Sequence, residues 1–94
     1  MIRSYDDSRT RKFADGQRVK QFEPFRRVAE KALDRLEAAV SLQDVANFPG
    51  HRLEKLKGER FGTYSIRIND QWRICFDWPD GSPGPENVTI IDYH

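Results

Sequence analysis

The stretch Tyr64-Ser65-Ile66-Arg67-Ile68-Asn69-Asp70-Gln71-Trp72-Arg73-Ile74-Cys75-Phe76-Asp77-Trp78 holds two runs of apolar alternation around a polar triplet. Period two on both sides of a short loop predicts a pair of antiparallel strands. A two-residue loop would set Ile66 against Arg73 and mix the faces. A three-residue loop, Asn69-Asp70-Gln71, pairs Ile68 with Trp72, Ile66 with Ile74 and Tyr64 with Phe76. That register gathers the large apolar side chains on one side, so it is the expected one. Trp72, Phe76, Trp78 and Tyr64 are read as sheet core, and Cys75 as packing with no redox role.

Upstream, Phe25, Val28, Ala29, Ala32, Leu33, Leu36, Ala39 and Val40 follow the spacing of one helical face. Pro24 fits a first-turn position, where its missing N–H has no partner to lose. Glu23 with Arg27, and Arg26 with Glu30, place opposite charges four apart on the wet side. Ser41, with Asp44 three residues later, caps one more helical turn ending near Val45, and Phe48-Pro49-Gly50 is a turn. Nearer the start, Ile2 to Tyr5 reads as a short strand. Asp6, Asp7 and Ser8 cap a brief helix from Arg9, which Gly16 stops. Beyond the paired strands, Pro79 to Pro85 reads as an exposed turn and Val88 to Ile91 as a last strand. The expected architecture is α+β: a short N-terminal strand, two helices and an antiparallel meander, with helices on one side of a small sheet.

Ninety-four residues leave room for one core, so residues 1–94 are expected to form a single domain. No window approaches the run of about 18–20 apolar residues that a bilayer demands. The opening M-I-R-S-Y-D-D-S-R-T-R-K has no apolar segment after its first basic residue, so a cytosolic location and no secretory signal are expected. Cys75, the single cysteine, excludes an internal disulfide framework and fits a reducing compartment. His51 and His94 lie far apart in the chain, and neither a metal nor another cofactor is expected.

The formal charge of +1 conceals blocks: +3 over residues 1–22, −1 over 23–50, +3 over 51–73 and −4 over 74–94. Local density of this kind favours an anionic partner for one face. The strand register sets Arg67 opposite Arg73 and Ser65 opposite Cys75 on the non-core face. Like charges facing across a ladder disfavour folding unless an anion is shared. The preceding segment, His51-Arg52-Leu53-Glu54-Lys55-Leu56-Lys57-Gly58-Glu59-Arg60, adds further cations. One reading is a cationic face that grips a phosphodiester. The other has Arg67 paired with Asp77 or with helix carboxylates. At the C-terminus Asp92 and His94 share a strand face, with Tyr93 on the other. His94 can exchange a proton near neutrality, and Asp92 can orient it.

Taken together, L-E-K-L-K-G-E-R-F-G-T-Y-S-I-R-I-N-D-Q-W-R-I-C-F-D-W and the final V-T-I-I-D-Y-H resemble the HigB toxins, plasmid-maintenance killer proteins of the RelE superfamily. M-I-R-S-Y and the helix end L-x-x-L-x-x-A-x-S-L-x-D-V share the likeness, which spans essentially the whole chain. The resemblance implies a RelE-like microbial ribonuclease-type fold and a bacterial type II toxin–antitoxin module. It implies an endoribonuclease that cuts mRNA in the ribosomal A site. It also implies silencing by a HigA-like helix-turn-helix antitoxin that binds operator DNA. Carried over by position, Arg73, Lys57, Asp92, Tyr93 and His94 are its functional residues. Some relatives carry histidine in L-H-P-L-K-G where this chain has Glu54, a carboxylate that can serve as a base.

RNA brings its own nucleophile, the 2′-hydroxyl, so the protein need supply only a base, cations and an acid. In this scheme Arg73 clamps the phosphate, since its fork matches two oxygens as lysine cannot. Lys57 is a second cation, and His94 an acid or base held by Asp92. Tyr93 positions the nucleotide, and Glu54 is a possible base. Arg67, Arg52, Lys55 and Arg60 are the expected phosphate-binding residues. The scheme requires Arg73 and His94 to flank a phosphate-sized gap. Two alternatives use the same scaffold: a ParE-like gyrase inhibitor that acts by binding alone, and an inactive co-repressor subunit.

Overall fold

The computed structural model describes residues 1–56 and 63–92. Among them are helices α1 (Ser8–Ala14), α2 (Arg26–Ala38) and α3 (Leu42–Ala46), with a 3-10 helix over Lys20–Phe25. The strands are β1 (Glu54–Lys55), β2 (Tyr64–Arg67), β3 (Trp72–Asp77) and β4 (Glu86–Asp92), joined antiparallel in the order β1-β2-β3-β4. The chain is α+β, as expected.

The central register is the one the alternation demanded: Tyr64 pairs with Phe76, Ser65 with Cys75, Ile66 with Ile74 and Arg67 with Arg73. Asn69 closes the loop by accepting from the backbone N–H groups of Gln71 and Trp72 through its side chain. Ile66, Ile74, Phe76, Val88 and Ile90 project from the sheet into one core with Phe22, Leu33 and Leu36 of the helical layer. Trp72 lies against Phe22 and Phe25, centroids 5.8 and 5.0 Å away. Tyr64, Trp72 and Trp78 are only half-buried at its rim, whereas Phe76 is wholly inside.

Several boundaries depart from expectation for identifiable reasons. Pro24 sits inside the 3-10 helix, one turn ahead of α2. Val40 would continue the buried stripe, but α2 ends at Ala38 and Ala39 is extended, so Val40 turns outward; Val28 is exposed at the stripe's edge. The predicted N-terminal strand is reduced to a single parallel bridge, Tyr5 to Val88. Pro85 has no N–H to offer and can only accept from Arg3, while Asn87 adopts a positive φ and gives its N–H to the Ser4 hydroxyl. The ladder therefore cannot lengthen. The turn before β4 is not fully exposed either: Gly84 and Pro85 are buried, and a Cβ at position 84 would collide with the Met1 backbone carbonyl.

The outer edge of β4 is closed by α1. Asp7 caps the helix through the Thr10 N–H and also accepts from the Thr89 hydroxyl at 2.8 Å. The Thr10 hydroxyl accepts from the Ile90 N–H at 3.0 Å. A sheet edge that would otherwise present unpaired groups is thereby satisfied.

Candidate active site

β1 was not foreseen, and it brings the site together. The chain leaves α3 through Gly50 and Arg52, both at positive φ. His51 between them is buried. Its backbone carbonyl accepts from the Arg67 N–H at 2.6 Å. Its Nδ1 donates to the Val45 carbonyl at 3.1 Å. Nε2 is then the lone-pair nitrogen, and Arg35 Nη1 donates to it at 3.4 Å. Burial, assisted by the Arg35 charge and opposed by the Val45 bond, holds the His51 pKa below its ordinary value. His51 is thus a neutral strut that docks the segment leading into β1 beside β2.

Docked there, Glu54 pairs with Ser65 and Lys55 with Tyr64. Alternation then sorts the side chains. One row across the face opposite the helical layer runs Glu54, Ser65, Cys75, Thr89; the next holds Arg67, Arg73 and Ile91. The like-charged pair Arg67 and Arg73 is resolved by two carboxylates. Arg67 bonds Asp70 in the β2–β3 loop, not the Asp77 or helix carboxylate of the second of the two readings above. Arg73 reaches over β2, and its Nη1 lies 3.7 Å from Glu54 Oε1. The Arg73 side chain is only 16% exposed, against 53% for Glu54. A guanidinium so placed is pre-ordered and partly desolvated, which strengthens its hold on an anion.

Other predicted residues fall elsewhere. Asp92 stands across from Trp72 while Arg73 stands across from Ile91, so the pleat sends Asp92 and Arg73 to opposite faces. Asp92 accepts from Gln71 Nε2 at 2.9 Å. Lys55 follows Tyr64 to the face away from Arg73, and Arg52 is exposed at the start of the segment. Lys57, Arg60, Tyr93 and His94, and with them the proposed gap between Arg73 and His94, lie outside the described residues. Asp77 ties the end of β3 to its neighbours. Its Oδ1 accepts from the Thr63 N–H and hydroxyl, and its Oδ2 from Asn87 Nδ2. Burial pushes the Cys75 thiol up to about 12, with Arg73 opposing, so it stays protonated near neutrality and offers no thiolate nucleophile. Among the described residues no group of three His, Cys, Asp or Glu side chains could hold a metal ion, and no helix is long and apolar enough to cross a membrane.

Comparison with known proteins agrees with this architecture. Residues 3–94 match the family described as RelE-like toxin of type II toxin-antitoxin system HigB. Toxin HigB-1 of Vibrio cholerae serotype O1 is 43% identical over 51 residues, a match that covers 54% of this chain and 54% of that protein. With the family match running almost from end to end, the chain belongs to the HigB-like toxins, RelE-like members of type II toxin–antitoxin systems.

Proposed function

We propose that this protein is a ribosome-dependent endoribonuclease that cleaves mRNA in the A site and is silenced by a HigA-like helix-turn-helix antitoxin in the bacterial cytoplasm. The observation that carries the reading is the Arg73–Glu54 pair: a partly desolvated guanidinium with a carboxylate 3.7 Å away, on the face opposite the helical layer. Transesterification needs these two functions side by side. Glu54 takes the proton of the 2′-hydroxyl as that oxygen bonds to phosphorus. Arg73 leaves its carboxylate for the non-bridging oxygens and offsets the charge that grows on them. The bond to the 5′-oxygen breaks, leaving a 2′,3′-cyclic phosphate, and an acid returns a proton to that oxygen. His94 is the proposed acid, with Tyr93 and Lys57 in support; Asp92, on the other face from Arg73, is left out of this role. Arg67, Arg52, Lys55 and Arg60 attract the RNA backbone.

Few acid–base groups suffice if the ribosome holds the message in line, because orientation alone can supply about 7 kcal/mol or more of the barrier. Free RNA is therefore expected to be a poor substrate. The test is to map mRNA 5′ ends in cells after inducing the wild type and Arg73→Ala. New ends at in-frame positions that vanish in the variant are expected. Wild-type toxicity without new ends would overturn the nuclease reading and favour action by binding, as in the gyrase alternative.

A further inference from the structure

Three hydroxyls are buried among the described residues: Thr10, Ser65 and Thr89. Thr10 accepts from the Ile90 N–H and Thr89 donates to Asp7. Ser65 differs. It is fully buried, and no hydrogen-bond partner among the described residues reaches its Oγ. Burying a hydroxyl without a partner disfavours folding, and alanine would fill a strand position of this size without that loss. The position of Ser65 suggests what the hydroxyl is for. It stands on β2, directly across from Glu54 on β1 and Cys75 on β3. The Glu54–Arg73 ion pair spans from β1 to β3, so it passes over β2 where Ser65 stands.

Directly opposed residues of an antiparallel pair have Cβ atoms about 4.5–5.5 Å apart, within reach of a serine hydroxyl and a glutamate carboxylate. In the resting arrangement Glu54 is drawn toward Arg73. A phosphate that engages Arg73 removes that partner at the moment Glu54 must act as base.

We propose that Ser65 is a positioning residue: its hydroxyl takes hold of the Glu54 carboxylate when Arg73 turns to the scissile phosphate. This role rests on the nuclease reading given above. The unpartnered donor is then a resting-state cost that substrate binding removes, and the base stays aimed and ionised after its cation has left. Glu54 passes from its ion-pair partner to a hydrogen-bond donor.

The test uses the full-length protein on translating ribosomes programmed with a defined mRNA, under single-turnover conditions. Ser65→Ala is expected to slow cleavage about ten- to a hundredfold, the range for one hydrogen bond to a charged group, with the half-saturating toxin concentration unchanged. The acid limb of its pH–rate profile should move up, since the carboxylate has lost a donor that favours its charged form. Ser65→Cys, close in shape and a weak donor, should fall between. In a Glu54→Gln background, Ser65→Ala should have no further effect, because the serine acts through that carboxylate. Unfolding by urea should show Ser65→Ala at least as stable as wild type, which separates lost activity from lost structure. Full activity of Ser65→Ala beside an active wild type, or an equal loss in the Glu54→Gln background, would overturn the role of Ser65 alone. A wild-type protein that cuts no mRNA on ribosomes would overturn the nuclease reading and this role with it.

Discussion

Acidification from pH 7.5 to 5.5 should weaken the fold through one side chain, His51. The imidazole is buried with Nδ1 donating to Val45 and Nε2 accepting from Arg35, while Phe48 packs beside the ring at 5.4 Å. A second proton would point an N–H at a guanidinium with no acceptor between them. Burial is the larger cause of the lowered pKa and the Arg35 charge the smaller. The sign follows from linkage. The unfolded chain binds the proton near the ordinary value of 6.5 and the folded chain only below it. The stability due to neutral His51 is therefore complete above about 6.5 and is lost as the pH falls toward the folded pKa. One proton changes stability by at most about 1.4 kcal/mol per pH unit. Over this interval that bounds the loss at about 1.4 kcal/mol, or roughly 5–10 °C in Tm for a domain of this size. His51→Asn keeps a donor for the Val45 carbonyl and removes the titration. It should be about 1–2 kcal/mol less stable than wild type at pH 7.5, having lost the Arg35 bond and the ring contact. Its curve should be flatter below pH 6.5, so the two proteins converge on acidification. Urea denaturation at half-unit steps measures this directly. Parallel curves for wild type and variant from pH 7.5 to 5.5 would refute the reasoning.

Two further predictions concern the struts around the sheet. Asp77→Ala removes the acceptor of three hydrogen bonds from Thr63 and Asn87 and should cost about 2 kcal/mol at pH 7, a value reduced for the partial exposure of the site. The Asn87 bond, with those from Thr63, holds the Asp77 carboxyl below its ordinary 3.8 against the effect of burial. Its stabilisation is present above about 3.8 and lost as pH falls through the folded value, so the deficit of the variant should shrink in urea titrations at pH 3 and below. Asp7→Ala removes both the α1 cap and the Thr89 acceptor. It should destabilise the fold by about 1–2 kcal/mol and speed amide exchange at Ile90, whose N–H is held by Thr10 of the same helix.

What was legible in the sequence followed from how many residues carried each signal. Alternation over Tyr64–Ile68 and Trp72–Phe76 involves enough large side chains that one register alone buries them, and the three-residue loop is the one observed. β1 has two residues and no alternation to read, so nothing in Glu54-Lys55 announced a strand. The partner of Arg73 was missed for the same reason, because Glu54 meets Arg73 only after β1 has docked. His51 could have been suspected as the one histidine away from the C-terminus, following a glycine turn. Its two polar contacts, however, come from α2 and α3, which no local pattern connects to it. Asp92 was assigned by spacing to the face of His94. Only the pairing with Trp72 shows that Asp92 does not share the face of Arg73.

The placement of Asp92 changes what the C-terminus must do. If the acid of the reaction is to meet a phosphate held by Arg73, it must reach the row that contains Ile91, whereas Asp92 is paired into the row of Trp72. The base side of the reaction does not depend on that reach, because Glu54 and Arg73 are already neighbours on one surface. The two halves of the proposed chemistry thus have different structural origins. The clamp and base are built by sheet register and by the His51 strut. The acid depends on how the chain ends beyond β4. Loss of Arg73 or Glu54 should therefore remove cleavage of every message. Changes after Asp92 should slow cleavage at a normal 5′-oxygen but spare a message whose scissile link carries a 5′-bridging sulfur, a leaving group that needs no proton.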